Sequence, residues 1–213
     1  MNNSLASLFQ DPLIARRIQQ KFPLLFHIAE EESRRDGKIG MEVGTLRERI
    51  VVSLLTYYFG EERVNTQVPT TESEKDVVLD DSPISIKTIT SSSSDSFRGV
   101  KVSWTVDTAK AKEFSESYNP TCDILFVHIC WGHLGAFYYI PKKVQQDTLA
   151  SIGRECYIKL PKVGTNPRGI EFSNQALKAL CEHPETHKLA IDWIKPDMKV
   201  NIYKRWIELW EQD

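Results

Sequence analysis

The chain has 213 residues, 41% of them hydrophobic and 26% charged, enough apolar material for one sizeable core. Its net charge of −2 lacks the bulk basicity common among nucleic-acid-binding proteins and leaves a local basic cleft as the route to that class. The four cysteines, Cys122, Cys130, Cys156 and Cys181, form no CxxC pair, which argues against a disulfide framework and predicts reduced thiols.

From the N-terminus, MNNSLASLFQDPLIARR lacks a basic segment followed by an apolar one, and the longest apolar run, DILFVHICWG, is too short for a membrane span. A cytoplasmic protein without membrane contact is expected. Residues 4–34 read as helical, with Leu5, Leu8, Phe9, Leu13 and Ile14 at helix spacing and Pro12 and Pro23 as punctuation. A second amphipathic helix runs from Met41, faced by Val43, Leu46, Ile50, Val51, Leu54, Leu55 and Tyr58, and closes at Gly60. RVNTQVP is a short strand candidate. Val77, Val78 and Leu79 form another, and Ile84, Ile86 and Ile89 mark a third, joined to it through Asp80, Asp81, Ser82 and Pro83.

TSSSSDS is a polar loop, and SWTVDTAKAKEFSESY predicts a helix capped at Ser103 or Thr105. CDILFVHICWGHLGAFYYIP reads as two apolar strands around Gly-His-Leu-Gly. KVGTNPRGIEF is a turn-rich loop, SNQALKALCEH a helix capped by Ser173, and NIYKRWIELWEQD a terminal amphipathic helix. This order predicts an α/β fold, a mixed central β-sheet of about five strands flanked by helices, in one domain. Residues 1–38 make a helical arm, 40–140 the core, and 141–213 a basic loop and the C-terminal helices.

The candidate chemistry lies in EKDVVLDDSPISIKT, residues 74–88. Lys87 shares a strand face with Ser85, while Ile84 and Ile86 point the other way. A tight turn brings Asp76, on the neighbouring strand, toward that polar face. Glu48 lies at the edge of the preceding helix's apolar face, where a carboxylate can look toward the sheet. Taken alone, Asp76 and Lys87 equally suit an exposed cross-strand ion pair worth under about 1 kcal/mol. Glu48 and the order of elements tilt the balance toward a site.

These residues resemble the PD-(D/E)xK nuclease superfamily: Gly44-x-x-x-Glu48 on a helix, Asp76 on the first hairpin strand, and Ser85-Ile86-Lys87 on the second. The resemblance covers roughly residues 40–140. Serine stands at 85 where the family pattern carries an acid, leaving a hydroxyl for direct or water-mediated contact. The resemblance implies a restriction-endonuclease-like core with Asp76, Lys87, Glu48 and Ser85 as the catalytic set. It also implies Mg²⁺ held by Asp76, the Ile86 backbone carbonyl and Glu48. The small size and compact motif resemble type II restriction endonucleases of the ThaI type. That implies a homodimer cutting double-stranded DNA at a short palindromic site of G and C, leaving 5′-phosphates.

The stretch after the catalytic strand offers Thr90, Ser92, Ser94, Arg98 and Lys101 for phosphate contacts. Asn166 and Arg168 are candidates for base edges. They end a region with Lys142, Lys143, Arg154, Lys159, Lys162 and Arg168 against Asp147 and Glu155. Met41 at the helix start is a candidate wedge between bases, with Arg47 and Arg49 beside it. Cys181, His183 and His187 lack a second ligand pair at finger spacing, and Pro184 interrupts their shared face, which disfavours zinc. Cys130 with His133 as a thiol dyad rests on proximity alone. Two alternatives to a restriction enzyme stay open: a structure-specific repair or recombination nuclease, and a non-catalytic DNA-binding protein on a nuclease fold.

Overall fold

A computed structural model describes residues 5–69, 72, 74–93, 95–97, 99–162 and 169–212. The chain opens with α1 (Ser7–Gln10) and α2 (Pro12–Glu32). Asp11 starts α2 by accepting from the amides of Leu13 and Ile14 at 2.8 and 3.2 Å, and Pro12 occupies the first turn, where its missing N–H costs nothing. The helix continues through Pro23 rather than breaking there, and buries that ring in the core. A small hairpin of β1 (Arg34–Arg35) and β2 (Lys38–Ile39) then leads to α3 (Val43–Phe59), which ends at Gly60 with φ of 96°.

After a 3₁₀ turn (Glu61–Arg63) come β3 (Val64–Asn65), β4 (Val77–Leu79), β5 (Ser82–Thr90) and β6 (Lys101–Ser103). Next are α4 (Thr108–Ser117), β7 (Asp123–Ile129), β8 (Leu134–Ile140), α5 (Lys142–Ile152), α6 (Arg154–Tyr157), β9 (Ile158–Lys159) and β10 (Ile170–Phe172). The chain finishes with α7 (Asn174–Glu182), β11 (His187–Asp192) and α8 (Lys204–Trp210). None of the helices among the described residues is long and apolar enough to cross a membrane.

The central sheet has six strands in the order β11-β8-β7-β5-β4-β3, one more than the sequence suggested, and the addition is β11. All its pairings are antiparallel except β5 with β7, which run parallel from Ile84 opposite Asp123 to Thr90 opposite Ile129. That pairing requires a crossover, supplied by residues 91–122. A second sheet, in the order β6-β10-β9, draws Lys101–Ser103 into a strand. The predicted helix there therefore begins later, at Thr108, with Asp107 as its cap. Ser173 caps α7 as expected, accepting from the Ala176 amide at 2.9 Å.

Strand alternation divides the core in two. Ile84, Ile86, Leu125, Val127 and Phe137 pack against α1, α2 and α3, whereas Ile124, Phe126, Ala136 and Tyr138 pack with residues of α4, α5 and α7. Ile89 belongs with the second group, opposite Ile84 and Ile86, because it is an odd number of residues away from them.

Candidate active site

The hairpin of β4 and β5 turns on two residues. Leu79 pairs with Ser82, and Asp80 and Asp81 between them both take positive φ, 45° and 65°, the geometry of a type I′ turn. Arg63 anchors the turn from outside, its Nε donating to Asp80 Oδ1 at 2.9 Å. Ser82 and Pro83, which the sequence reading placed in the turn, are already strand residues. With the register so fixed, Asp76 continues the ladder one residue before β4, its amide donating to the Ile84 carbonyl at 3.0 Å.

The Asp76 carboxylate reaches the neighbouring strand. Its Oδ2 accepts from the Ile86 amide at 2.5 Å and from the Ser85 hydroxyl at 3.3 Å, and lies 3.9 Å from Lys87 Nζ. Both charged side chains are partly exposed, about a fifth of each open to solvent. In a strand, the N–H and C=O of one residue leave on the same edge. The Ile86 carbonyl therefore faces the edge that β4 vacates at Asp76.

Around this hairpin opens a cleft of about 850 Å³. Its walls come from the start of α3, with Met41, Gly44, Thr45 and Glu48, and from β5, with Ile86, Lys87 and Thr88. Lys101 and Trp104 close another side, the lysine 5.5 Å above the indole ring. Glu48 faces the hairpin as the sequence predicted. Burial first, and the nearby Asp76 second, raise its pKa above the ordinary carboxylate value, with partial relief from Lys87 and Arg49.

Two further acids line the cleft, Glu72, which pairs with Lys75 at 2.5 Å, and Glu74. Glu74, at φ of 70°, turns its carboxylate into the same space, where Thr121 Oγ1 donates to it at 3.0 Å. Burial raises its pKa; the hydroxyls of Tyr118 and Thr121 and the charge of Lys87 offset part of that shift. Its two-residue spacing from Asp76 was visible, but the partners that bury it come from residues 118 and 121, far along the chain. Lys87 thus stands among three carboxylates: Asp76, Glu48 and Glu74.

The expected DNA-contacting residues scatter. Met41 is 84% exposed at the cleft, and Lys101 lines it with Nζ 3.8 Å from Glu171. Ser92 is exposed on the loop after β5. Arg47 is the correction. Only 6% exposed, it turns into the protein, where its Nη2 meets Glu30 at 2.6 Å and Thr90 Oγ1 at 2.8 Å. The Arg47 guanidinium is therefore turned away from the cleft, while Thr90, whose hydroxyl it holds, is exposed at the end of β5. Ser94, Arg98, Asn166 and Arg168 lie outside the described residues. The basic surplus after Lys142 is partly neutralised, because Lys143 pairs with Asp147 at 2.6 Å and Lys159 with Glu171 at 2.8 Å. Cys130 meets His128 at 3.4 Å and Ser91 at 3.2 Å rather than the His133 ring.

A cleft that sets Glu48, Glu72, Glu74 and Asp76 against Lys75, Lys87 and Lys101, beside the Ile86 carbonyl, suits a hard cation together with a phosphate group. Comparison with known proteins points the same way. A family model described as restriction endonuclease ThaI matches residues 8–212. A solved structure described as a restriction endonuclease in complex with substrate DNA is 52% identical, covers 98% of this chain and 99% of its own, and superposes with a TM-score of 0.89. No curated protein matches the sequence.

Proposed function

The chain belongs to the restriction endonuclease ThaI family and is a type II restriction endonuclease; from that premise we propose that Asp76, Lys87 and Glu48 carry out Mg²⁺-dependent hydrolysis of double-stranded DNA. The observation that carries this reading is the convergence on Asp76 Oδ2 of the Ile86 amide, the Ser85 hydroxyl and Lys87 Nζ.

The donor set fits Mg²⁺. Among the described residues, no group of three or more acids, histidines or cysteines is arranged to hold a metal by itself. Magnesium characteristically takes one or two carboxylates and completes its shell with water and phosphate oxygens. Asp76 and the Ile86 carbonyl would hold it directly, and Glu48 through water. When bound, the ion supplies a positive centre for the scissile phosphate and a more acidic attacking water.

The protein's own groups do the rest. The Ile86 amide and the Ser85 hydroxyl fix the Asp76 carboxylate. Ser85 thus serves as an aligning donor at the position where the family pattern carries an acid. Lys87 Nζ orients the attacking water and offsets negative charge developing on the phosphoryl oxygens. Met41 and Lys101, at the cleft, contact the DNA, with Ser92 reaching phosphates from the loop after β5.

The enzyme acts in the cytoplasm as a homodimer on a short palindromic site of G and C, leaving 5′-phosphates. The two-fold symmetry of such a dimer matches that of the palindrome. Its dimer surface includes α8, where Trp206, Ile207, Leu209 and Trp210 all stand exposed. The test is incubation with plasmid DNA and Mg²⁺ beside an EDTA control, with the fragment ends sequenced and the mass in solution measured by light scattering. Discrete Mg²⁺-dependent fragments with 5′-phosphate ends, from a protein of twice the chain mass, support the reading. Cutting in EDTA removes the metal assignment, and a monomeric mass removes the dimer.

A further inference from the structure

Away from the cleft, a second polar cluster is built around Glu30 in α2. Its side chain is fully buried and accepts from Arg47 Nη2 at 2.6 Å, Trp131 Nε1 at 2.7 Å and Lys195 Nζ at 3.3 Å. The same Arg47 nitrogen donates to Thr90 Oγ1 at 2.8 Å. Arg47 therefore ties α3 simultaneously to α2 and to the end of β5.

The placement matters because α3 and β5 are the facing walls of the catalytic cleft. Arg47 directly precedes Glu48 on α3, and Thr90 follows Lys87 by three residues on β5. A buried arginine–carboxylate pair is a poor device for stability alone, since apolar residues of similar volume often do as well. Arg47 Nη2 donates to both partners in the plane of the guanidinium, a fixed relative geometry that an apolar contact lacks and a freely rotating ammonium holds less strictly.

We propose that Glu30 and Arg47 are positioning residues, a buried clamp that sets how far Glu48 stands from Asp76 and Lys87. The inference rests on the reading of those three residues given above. Loosening the clamp lets α3 slide on β5, and Glu48 leaves the position from which it serves the site.

The test uses the full-length chain carrying Arg47→Lys or Thr90→Val, each alone and combined with Glu48→Gln. Thr90→Val spares the ion pair, so it keeps the test in hand if Arg47→Lys fails to fold. Plasmid cleavage is followed under single-turnover conditions at saturating Mg²⁺, at a temperature where circular dichroism shows each variant folded. Mn²⁺ affinity without DNA is measured by calorimetry. Each single variant is expected to cut roughly 10- to 100-fold more slowly, the cost of misplacing a reacting group by about 1 Å. Mn²⁺ affinity should fall at least about threefold. On the Glu48→Gln background, either change should add less than about threefold, because residues acting through one group are not additive. Wild-type cleavage by the folded variants, unchanged Mn²⁺ affinity, or a loss that multiplies in full with Glu48→Gln overturns the clamp. If Glu48→Gln alone cuts at the wild-type rate, the catalytic assignment of Glu48 falls first and takes the clamp with it.

Discussion

Glu30 and Asp76 are both carboxylates held by several donors, and their surroundings differ in one respect. Glu30 is sealed from solvent and faces two cations, Arg47 and Lys195, so its charge is fully answered from within. Asp76 is partly open, and its ion-pair partner Lys87 also faces Glu48 and Glu74. A carboxylate answered by the protein becomes part of the framework. Carboxylates left in excess beside water invite a cation from outside, and only the cleft is open to one.

The sharpest break in this comparison is expected from the open cluster. Asp76→Ala and Lys87→Ala should each slow DNA cleavage by about a thousandfold or more, the scale of losing a charged group that stabilises a transition state. Both side chains are partly solvated, so melting temperatures should move by no more than a few degrees. Plasmid cleavage and thermal denaturation on the same samples separate the two effects.

The sealed cluster should behave in the opposite sense. Glu30→Ala leaves Arg47 buried without its carboxylate, and denaturant unfolding should show a loss of about 3–5 kcal/mol. A loss below about 1 kcal/mol would mean that the pair is effectively solvated.

Ser85→Asp sharpens the contrast by adding an acid where the hydroxyl lies 3.3 Å from Asp76. Two carboxylates that close repel, so the metal-free variant should lose about 1–3 kcal/mol and have it restored by Mg²⁺. Melting curves with and without the ion measure both numbers.

The smallest effect concerns acidity. Glu48 and Glu74 have raised folded-state pKa values, so between the ordinary value and the raised one the folded protein binds more protons than the unfolded chain. Stability therefore falls as pH rises through that window. Without metal, Glu48→Gln should raise the melting temperature at pH 7 and lose that advantage as pH falls below the ordinary carboxylate value. An equal gain at every pH would point to a cause other than titration.

The hairpin was legible in the sequence because everything that sets it is local. Asp80 and Asp81 accept the positive φ values that a two-residue turn demands, and the turn fixes which residues meet. Glu48 followed from its place on a helix of clear period. Arg47 was misjudged because its charge outweighed its position: Arg47, Val51, Leu55 and Phe59 recur every four residues and form the buried ridge of α3. Its acid partner is 17 residues away on another helix, and no local pattern connects them.

β11 carries only a short alternating signal, Leu189 and Ile191 buried between exposed neighbours, beside stronger helical patterns on both sides. β6 was absorbed into a helix for a different reason. Its partner β10 lies some 70 residues further along, and strands that short are defined by their pairing. The comparisons with known proteins, rather than any pattern in the chain, decide against the repair-nuclease and non-catalytic alternatives.

The two-residue turn also bears on synthesis. A hairpin closes in about 1–10 μs, so Asp76 and Lys87 can meet almost as soon as β5 has been made. The parallel partner of β5 begins only at Asp123, 36 residues after Lys87, a delay of roughly 2–7 s at a translation rate of about 5–20 residues per second. An isolated two-stranded hairpin is marginal in water. For those seconds the nascent chain carries its acid and its lysine on a hairpin braced on one side only, by the two residues of β3. A cell making an enzyme that cuts DNA thus releases the finished cleft only with the completed fold.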